Sequence, residues 1–179
     1  GRQAIFPTGT VITKIAVGDN HNLALDSNGY VWVWGRNNYY QLGNSSSANL
    51  KVPTKITSLS RIIDIECGNN TSFAIDEEVL VYAWGLNANG ECGIGSYTNR
   101  ITINKVPYMT NAIDVKAGKN HSVILRSNGD VYVTGSNIYG ELAKDNTIRK
   151  QNTYSKVEGL NKVIAIGTGD SNTTVVKVD

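Results

Sequence analysis

Cysteine is scarce in this sequence, with two residues in 179, too few for a disulfide framework. Histidine is no more frequent at two, and without a Cys-x-x-Cys pair the donors for a zinc site are missing. No metal and no cofactor is expected. Charge of one sign is missing as well: 17 basic and 15 acidic side chains leave a formal +2, no field to steer the chain to nucleic acid or an anionic membrane. No run has the length or apolar character of a transmembrane span, and nothing has the pattern of a signal peptide. The chain opens on Gly1 in the middle of a unit, so that absence says little about compartment. Also missing is any segment of ten or more residues with a 3.6-residue apolar period, which leaves almost no helix to expect.

What the sequence does have is a repeat. The stretch GDNHNLALDSNGYVWVWGRNNYYQLG from Gly18 to Gly43 returns as GNNTSFAIDEEVLVYAWGLNANGECG at Gly68 and as GKNHSVILRSNGDVYVTGSNIYGELA at Gly118, a step of 50 residues. A fourth, truncated copy begins one residue late at Gly169, and Ile5-Phe6-Pro7 reads as the tail of an earlier unit. The units run at about 11–57, 62–107 and 112–158, with partial units at 1–7 and 162–179. Repeats of this size cannot bury their apolar faces alone and stack on neighbours.

Within a unit the apolar runs are short and rich in β-branched and aromatic residues. In the second unit they are 62–67, 72–76, 80–84 and about 102–106, bounded by Gly and Asn, which makes four strands. Ser27-Asn28-Gly29 and Ser127-Asn128-Gly129 close the middle hairpins with residues suited to positive φ. Glu77-Glu78-Val79 stands there in the second unit, so its turn must differ or be strained. Four strands per 50 residues, repeated, predicts an all-β chain of propeller blades; a parallel β-helix needs a shorter rung, and an immunoglobulin-like sandwich does not repeat so.

Position within the repeat also assigns the conspicuous side chains. His21 and His121 are equivalent, which predicts a shared structural niche and no catalytic or metal role. Cys67 and Cys92 stand where other units have small or apolar residues, which predicts buried free thiols. Trp32, Trp34, Trp84, Tyr82 and Tyr132 fall on the third strand, expected to be packed between neighbouring blades, so Trp34→Ala should cost stability first. The fourth strand is reached through polar connections, 44–51, 96–101 and 144–151, that differ between units, as recognition loops do. Tyr39, Tyr40, Tyr97 and Tyr139, in or beside these loops, are the candidate binding residues together with Asn89, since tyrosine offers rigid amphipathic contact area. Equivalence of Tyr39 and Tyr139 is equally consistent with loop packing. Lys144, Arg149 and Lys150 read as a solvated basic loop. No catalytic residue is assigned, because every polar group that stands out recurs by unit and none converges with different groups.

The pattern Gly-x-x-His-x-x-Ala-Leu followed by Asn-Gly-x-Val-x-x-Trp-Gly-x-Asn-x-x-x-Gln-Leu-Gly, as it stands from Gly18 to Gly43, resembles the repeat of the regulator of chromosome condensation family. That resemblance implies a seven-bladed β-propeller of about 50 residues per blade, of which this chain supplies about three and a half four-stranded antiparallel blades. Members are mostly binding platforms, which implies a non-enzymatic module for protein–protein interaction. The family also includes a nucleotide exchange factor for a small GTPase, and bacterial members, so an exchange-factor-like regulator and a structural segment of a bacterial surface or phage assembly are the alternatives. No β-wedge insertion interrupts the spacing here, and Asp19, Asn69, Lys119 and Asp170 follow the repeat glycine where the light-sensing member has tryptophan. An arc of three and a half blades leaves apolar walls in water, so the expectation is either a longer propeller in one chain or a homodimer that closes the ring.

Overall fold

The computed structural model describes residues 3–178. They form fourteen strands and, among the described residues, no helix. The first sheet comprises β1 (Ile12–Val17), β2 (His21–Asp26), β3 (Val31–Gly35) and β4 (Leu50–Lys55). The second comprises β5 (Ile62–Cys67), β6 (Thr71–Asp76), β7 (Val81–Gly85) and β8 (Arg100–Lys105). The third comprises β9 (Ala112–Ala117), β10 (His121–Arg126), β11 (Val131–Ser136) and β12 (Lys150–Lys156). Last come β13 (Val163–Thr168) and β14 (Thr173–Lys177), an antiparallel pair. Each four-stranded sheet is an antiparallel meander in chain order. The first strands of successive sheets pack against one another, so the sheets radiate as propeller blades from a line along β1, β5, β9 and β13.

Close approach along that line demands glycine. A Cβ built on Gly18 would lie 2.6 Å from the Gly68 carbonyl oxygen, on Gly68 2.8 Å from that of Gly118, and on Gly118 2.5 Å from that of Gly169. The amides of Asp19 and Lys119 donate across the same joints to the carbonyls of Asn69 and Asp170, at 3.0 and 2.9 Å. One position per repeat is therefore held bare so that adjacent backbones can touch.

The turn between the second and third strands is built once and used three times. In the first blade the Asp26 carboxylate accepts the Asn28 and Tyr30 amides, both at 3.0 Å, and Gly29 takes φ 79°. Only the glycine is left-handed; Asn28 and Asn128 are not. The second blade keeps that turn despite Glu77-Glu78-Val79: Asp76 accepts the Glu78 and Leu80 amides at 3.0 Å, and Val79 is forced to φ 57°. A β-branched residue there is strained. Arg126 replaces the aspartate in the third blade and donates from Nε to the Thr110 carbonyl at 2.8 Å.

Three apolar clusters fill the three joints. The first joint holds Leu23, Leu25, Val33 and Leu42 of one blade against Ile65, Cys67, Ala74 and Trp84 of the next. Both cysteines are buried and free, and burial pushes both thiols well above their ordinary range. Trp84 is wholly buried and donates Nε1 to the Gln41 carbonyl at 2.9 Å, whereas Trp34 is half-buried and meets Phe6 edge-on, ring centres 5.8 Å apart. The expectation of packing between neighbouring blades is met by Trp84, which has a blade on either side, and only in part by Trp34, which has one. Ile15 shows the same asymmetry, 65% exposed where its equivalent Ile65 is 0%.

Candidate functional site

At the end of each third strand a glycine turns the chain out of the sheet. Gly35 takes φ 112°, and a Cβ there would lie 2.5 Å from the Asn20 carbonyl oxygen, which the Arg36 amide needs as its acceptor at 2.7 Å. The loop that follows is organised by one asparagine. Asn37 Oδ1 accepts the Leu42 amide at 2.9 Å, and its Nδ2 donates to the carbonyls of Ser46 and Ala48 and to Asn44 Oδ1. Asn87 does the same with the Cys92 amide and the carbonyls of Ser96 and Thr98, and Asn137 with the Leu142 amide and the Ile148 carbonyl. A buried amide that satisfies both its donor and acceptor capacity in this way fixes a loop as firmly as regular structure would.

The tips are pinned two residues from a second repeated group. Gln41 Oε1 accepts the Tyr39 amide at 2.9 Å, Glu91 Oε2 the Asn89 amide at 2.8 Å, and Glu141 Oε2 the Tyr139 amide at 2.8 Å. Tyr39, Asn89 and Tyr139 thus occupy one structural position on three blades, all at the same end of the sheets. Tyr139 is 77% exposed and Tyr39 38%, with Asn89 half-buried. Tyr40 follows the tip in a left-handed conformation, φ 62°, where the other loops have Gly90 and Gly140. Its ring is half-buried.

Tyr97 lies elsewhere in the second loop and is tied to the third blade. Lys150 Nζ sits 4.4 Å from the Tyr97 ring centre and donates to the Ala88 carbonyl at 3.1 Å, a cation–π contact combined with a hydrogen bond. The structure therefore brings Tyr97 and the segment bearing Asn89 together through Lys150. Lys144 Nζ donates to the Lys156 carbonyl at 3.3 Å, so two of the three charges read as a solvated basic loop are committed to neighbouring backbone.

Beneath the loops lies a row of polar contacts between blades. His21 Nε2 meets Ser72 Oγ at 2.9 Å, and that hydroxyl donates to the Gln41 carbonyl at 2.7 Å. His121 Nε2 meets Thr173 Oγ1 at 3.1 Å, which donates to the Glu141 carbonyl at 2.9 Å. Burial pushes His21 down to about 4 and His121 down as well, so both stand neutral at pH 7. The Glu91 carboxyl is pushed up to about 6 by burial, and its Oε1 has no hydrogen-bond partner among the described residues. These groups hold the joints, and no cluster of three or more potential metal ligands forms among the described residues. The roles of Glu91 and Lys150 went unread in the sequence; the 41, 91, 141 spacing carried a signal for the first, and nothing in the repeat pointed to the second.

Sheets of four strands that share an axis, interlock through repeated polar contacts and carry differing loops at one end define a repeat-built β-propeller scaffold. Two models of the regulator of chromosome condensation (RCC1) repeat match the chain, one over residues 28–75 and 80–125, the other over 12–41, 62–91 and 112–141. The chain belongs to that repeat family. It is 50% identical over 52 residues to the mitochondrial RCC1 domain-containing protein RUG3 of Arabidopsis thaliana, spanning 29% of this chain and 12% of that protein. It is 33% identical over 69 residues to the human E3 ubiquitin-protein ligase HERC2, spanning 37% of this chain and 1% of that one. Among solved structures, human WBSCR16 superimposes with a TM-score of 0.85 at 20% identity, covering 96% of this chain and 47% of that one. Prp20p of Saccharomyces cerevisiae superimposes at 0.84 with 24% identity, covering 97% and 45%. The chain thus spans a small part of the curated relatives and just under half of these two propellers.

Proposed function

We propose that this chain is a non-enzymatic binding module that recognises another protein through the loops at the third-strand end of its blades. The observation that carries the reading is the separation of scaffold from tip. Asn37, Asn87 and Asn137 hold three loops in one conformation, while positions 39, 89 and 139 present Tyr, Asn and Tyr to solvent. Tyr139, Tyr39 and Tyr97 supply the aromatic contact area, Asn89 supplies a polar group between them in the series, and half-buried Tyr40 adds to the first loop's share of the surface. Substituting Tyr39, Tyr97 and Tyr139 together by Ser, followed by affinity capture with cross-linking from the source organism, tests the reading: a partner retained by the wild type and lost by the triple variant supports it, and an unchanged set of captured proteins contradicts it.

A second reading has one observation in its favour. The likeness to Prp20p, a protein described by its binding to Gsp1p and histones, supports an exchange-factor-like regulator acting on a small GTPase. Accelerated release of a fluorescent guanine nucleotide from a small GTPase would favour it over passive binding. The covering of the open wall at Ile15 and Trp34 by a second copy of this chain is also proposed, with further repeats in one chain as the alternative.

A further inference from the structure

The joints between blades open at the outer rim into grooves, about 230 Å³ at the first joint, where a further cavity of about 270 Å³ adjoins it across Gly43, Ser45 and Ser58, and about 240 Å³ at the second. Their linings differ in kind. The first is edged by Ser45, Ser58, Leu59, Tyr82, Thr102 and Ile103. At the second, Gly95, Tyr108, Met109, Tyr132, Thr153 and Tyr154 take those places, flanked by Ile94 and Pro107; β12 pairs one residue later than β8, which sets Tyr154 where Ile103 stands. Tyr108 is the telling member. Its side chain is 100% exposed, and its backbone sits at φ 58°, where its counterpart Ser58 is not left-handed. A large ring held in water on a strained backbone has no packing reason to be there.

Charge changes at the same rim. Asp26 and Asp76 of the first two blades give way to Arg126, whose guanidinium donates to the Thr110 carbonyl at 2.8 Å, to Thr110 Oγ1 at 3.1 Å and to the Tyr132 hydroxyl at 3.2 Å. Two of its five N–H groups remain uncommitted. Asp130 on the same hairpin is engaged by Lys156 at 2.8 Å, so the three charges sum to a single positive one beside the aromatic floor.

We propose that this groove binds an extended peptide segment of a partner protein that inserts one apolar side chain, proline or leucine, between Tyr108 and Tyr154 and places an adjacent carboxylate on Arg126. The groove is too small for a drug-sized ligand and suited to one or two side chains. Tyrosine-lined slots that accept extended apolar peptides are a recurring recognition mode, and a guanidinium is the group best shaped for a carboxylate. This surface lies apart from Tyr39 and Tyr139, though it shares the second loop with Tyr97, and its failure leaves the reading of those two tips standing.

The test is an amide-resolved NMR titration of the chain with three hexapeptides, one with Pro-Leu-Asp at its centre, one with Pro-Leu-Lys and one with Ser-Ser-Asp. The first should shift Gly93, Gly95, Tyr108 and Thr153 and leave Tyr39 and Tyr139 unmoved. Tyr108→Ser, at a fully exposed site, should weaken it about tenfold, as loss of an aromatic anchor does. Pro-Leu-Lys should bind about tenfold less well, and Arg126→Gln should remove that difference. Absence of shifts at millimolar peptide, equal binding of Ser-Ser-Asp, or indifference to Tyr108→Ser would overturn the proposal.

Discussion

Two buried groups at equivalent depth carry opposite pH signatures. His21 titrates near 4 in the folded chain and near 6.5 when unfolded, so the unfolded state takes up protons first. Its contribution is intact above pH 6.5 and is lost as pH falls toward 4, at most about 3 kcal/mol. Glu91 is the reverse. With its carboxyl raised from 4.5 to about 6, its contribution is present below pH 4.5 and is lost as pH rises through 6, at most about 2 kcal/mol. Glu91→Gln, which puts in the second blade the side chain that Gln41 already provides in the first, should raise stability at pH 7 by about 1–2 kcal/mol. That gain should vanish near pH 4.5, with urea unfolding across pH 4–8 as the measurement. In that variant the His21 loss should stand out as a monotonic fall in stability below pH 6.5; a flat profile there would contradict the burial argument. The 41, 91, 141 spacing signals a shared environment but not one that excludes water, because a period reports sameness without reporting solvation.

At the scale of elements, strain and support are distributed unevenly among three copies of one design. Val79 sits left-handed where Gly29 and Gly129 sit without cost, so Val79→Gly should stabilise the second blade by about 1 kcal/mol once the extra chain entropy of glycine is subtracted. Thermal unfolding of the single variant checks the sign. The hairpin was legible as a hairpin, and its anomaly in the second blade was legible as an anomaly. The sequence did not show that the Asp76 carboxylate, by accepting two amides, imposes the common turn on residues that disfavour it. The tryptophans teach the same lesson about joints. Trp84→Ala should cost about 3–5 kcal/mol, the range for removing a large buried ring, and Trp34→Ala clearly less. Both lie on third strands, and only the position of each blade in the row separates them. The bridge from Lys150 to Tyr97 was illegible for a related reason, since it joins loops whose sequences differ from unit to unit.

The described residues form three complete blades and two strands of a fourth, with apolar side chains uncovered at both ends of the row, Ile15, Val17 and Trp34 at one and Val176 at the other. Exposed apolar area of that kind is a liability for a chain on its own. Closure by a second copy predicts a sedimentation mass near twice 19.4 kDa, and a monodisperse monomer would remove that version of the account. The repeat made the architecture readable almost completely, because fifty-residue spacing dictates both the strands within a blade and the equivalence of joints between blades. Recognition was readable only as candidates, because the loops proposed to carry it lie where the repeat stops constraining residues. Repeated side chains hold the joints, and the loop tips are free of that duty. Urea unfolding of the Tyr39→Ser, Tyr97→Ser, Tyr139→Ser triple variant beside Trp84→Ala separates the two duties. The account expects the triple variant to stay within about 1.5 kcal/mol of the wild type, the sum of three surface changes, while Trp84→Ala falls by about 3 kcal/mol or more. A triple variant as unstable as Trp84→Ala would show that the tips belong to the core of the fold, and would contradict the account.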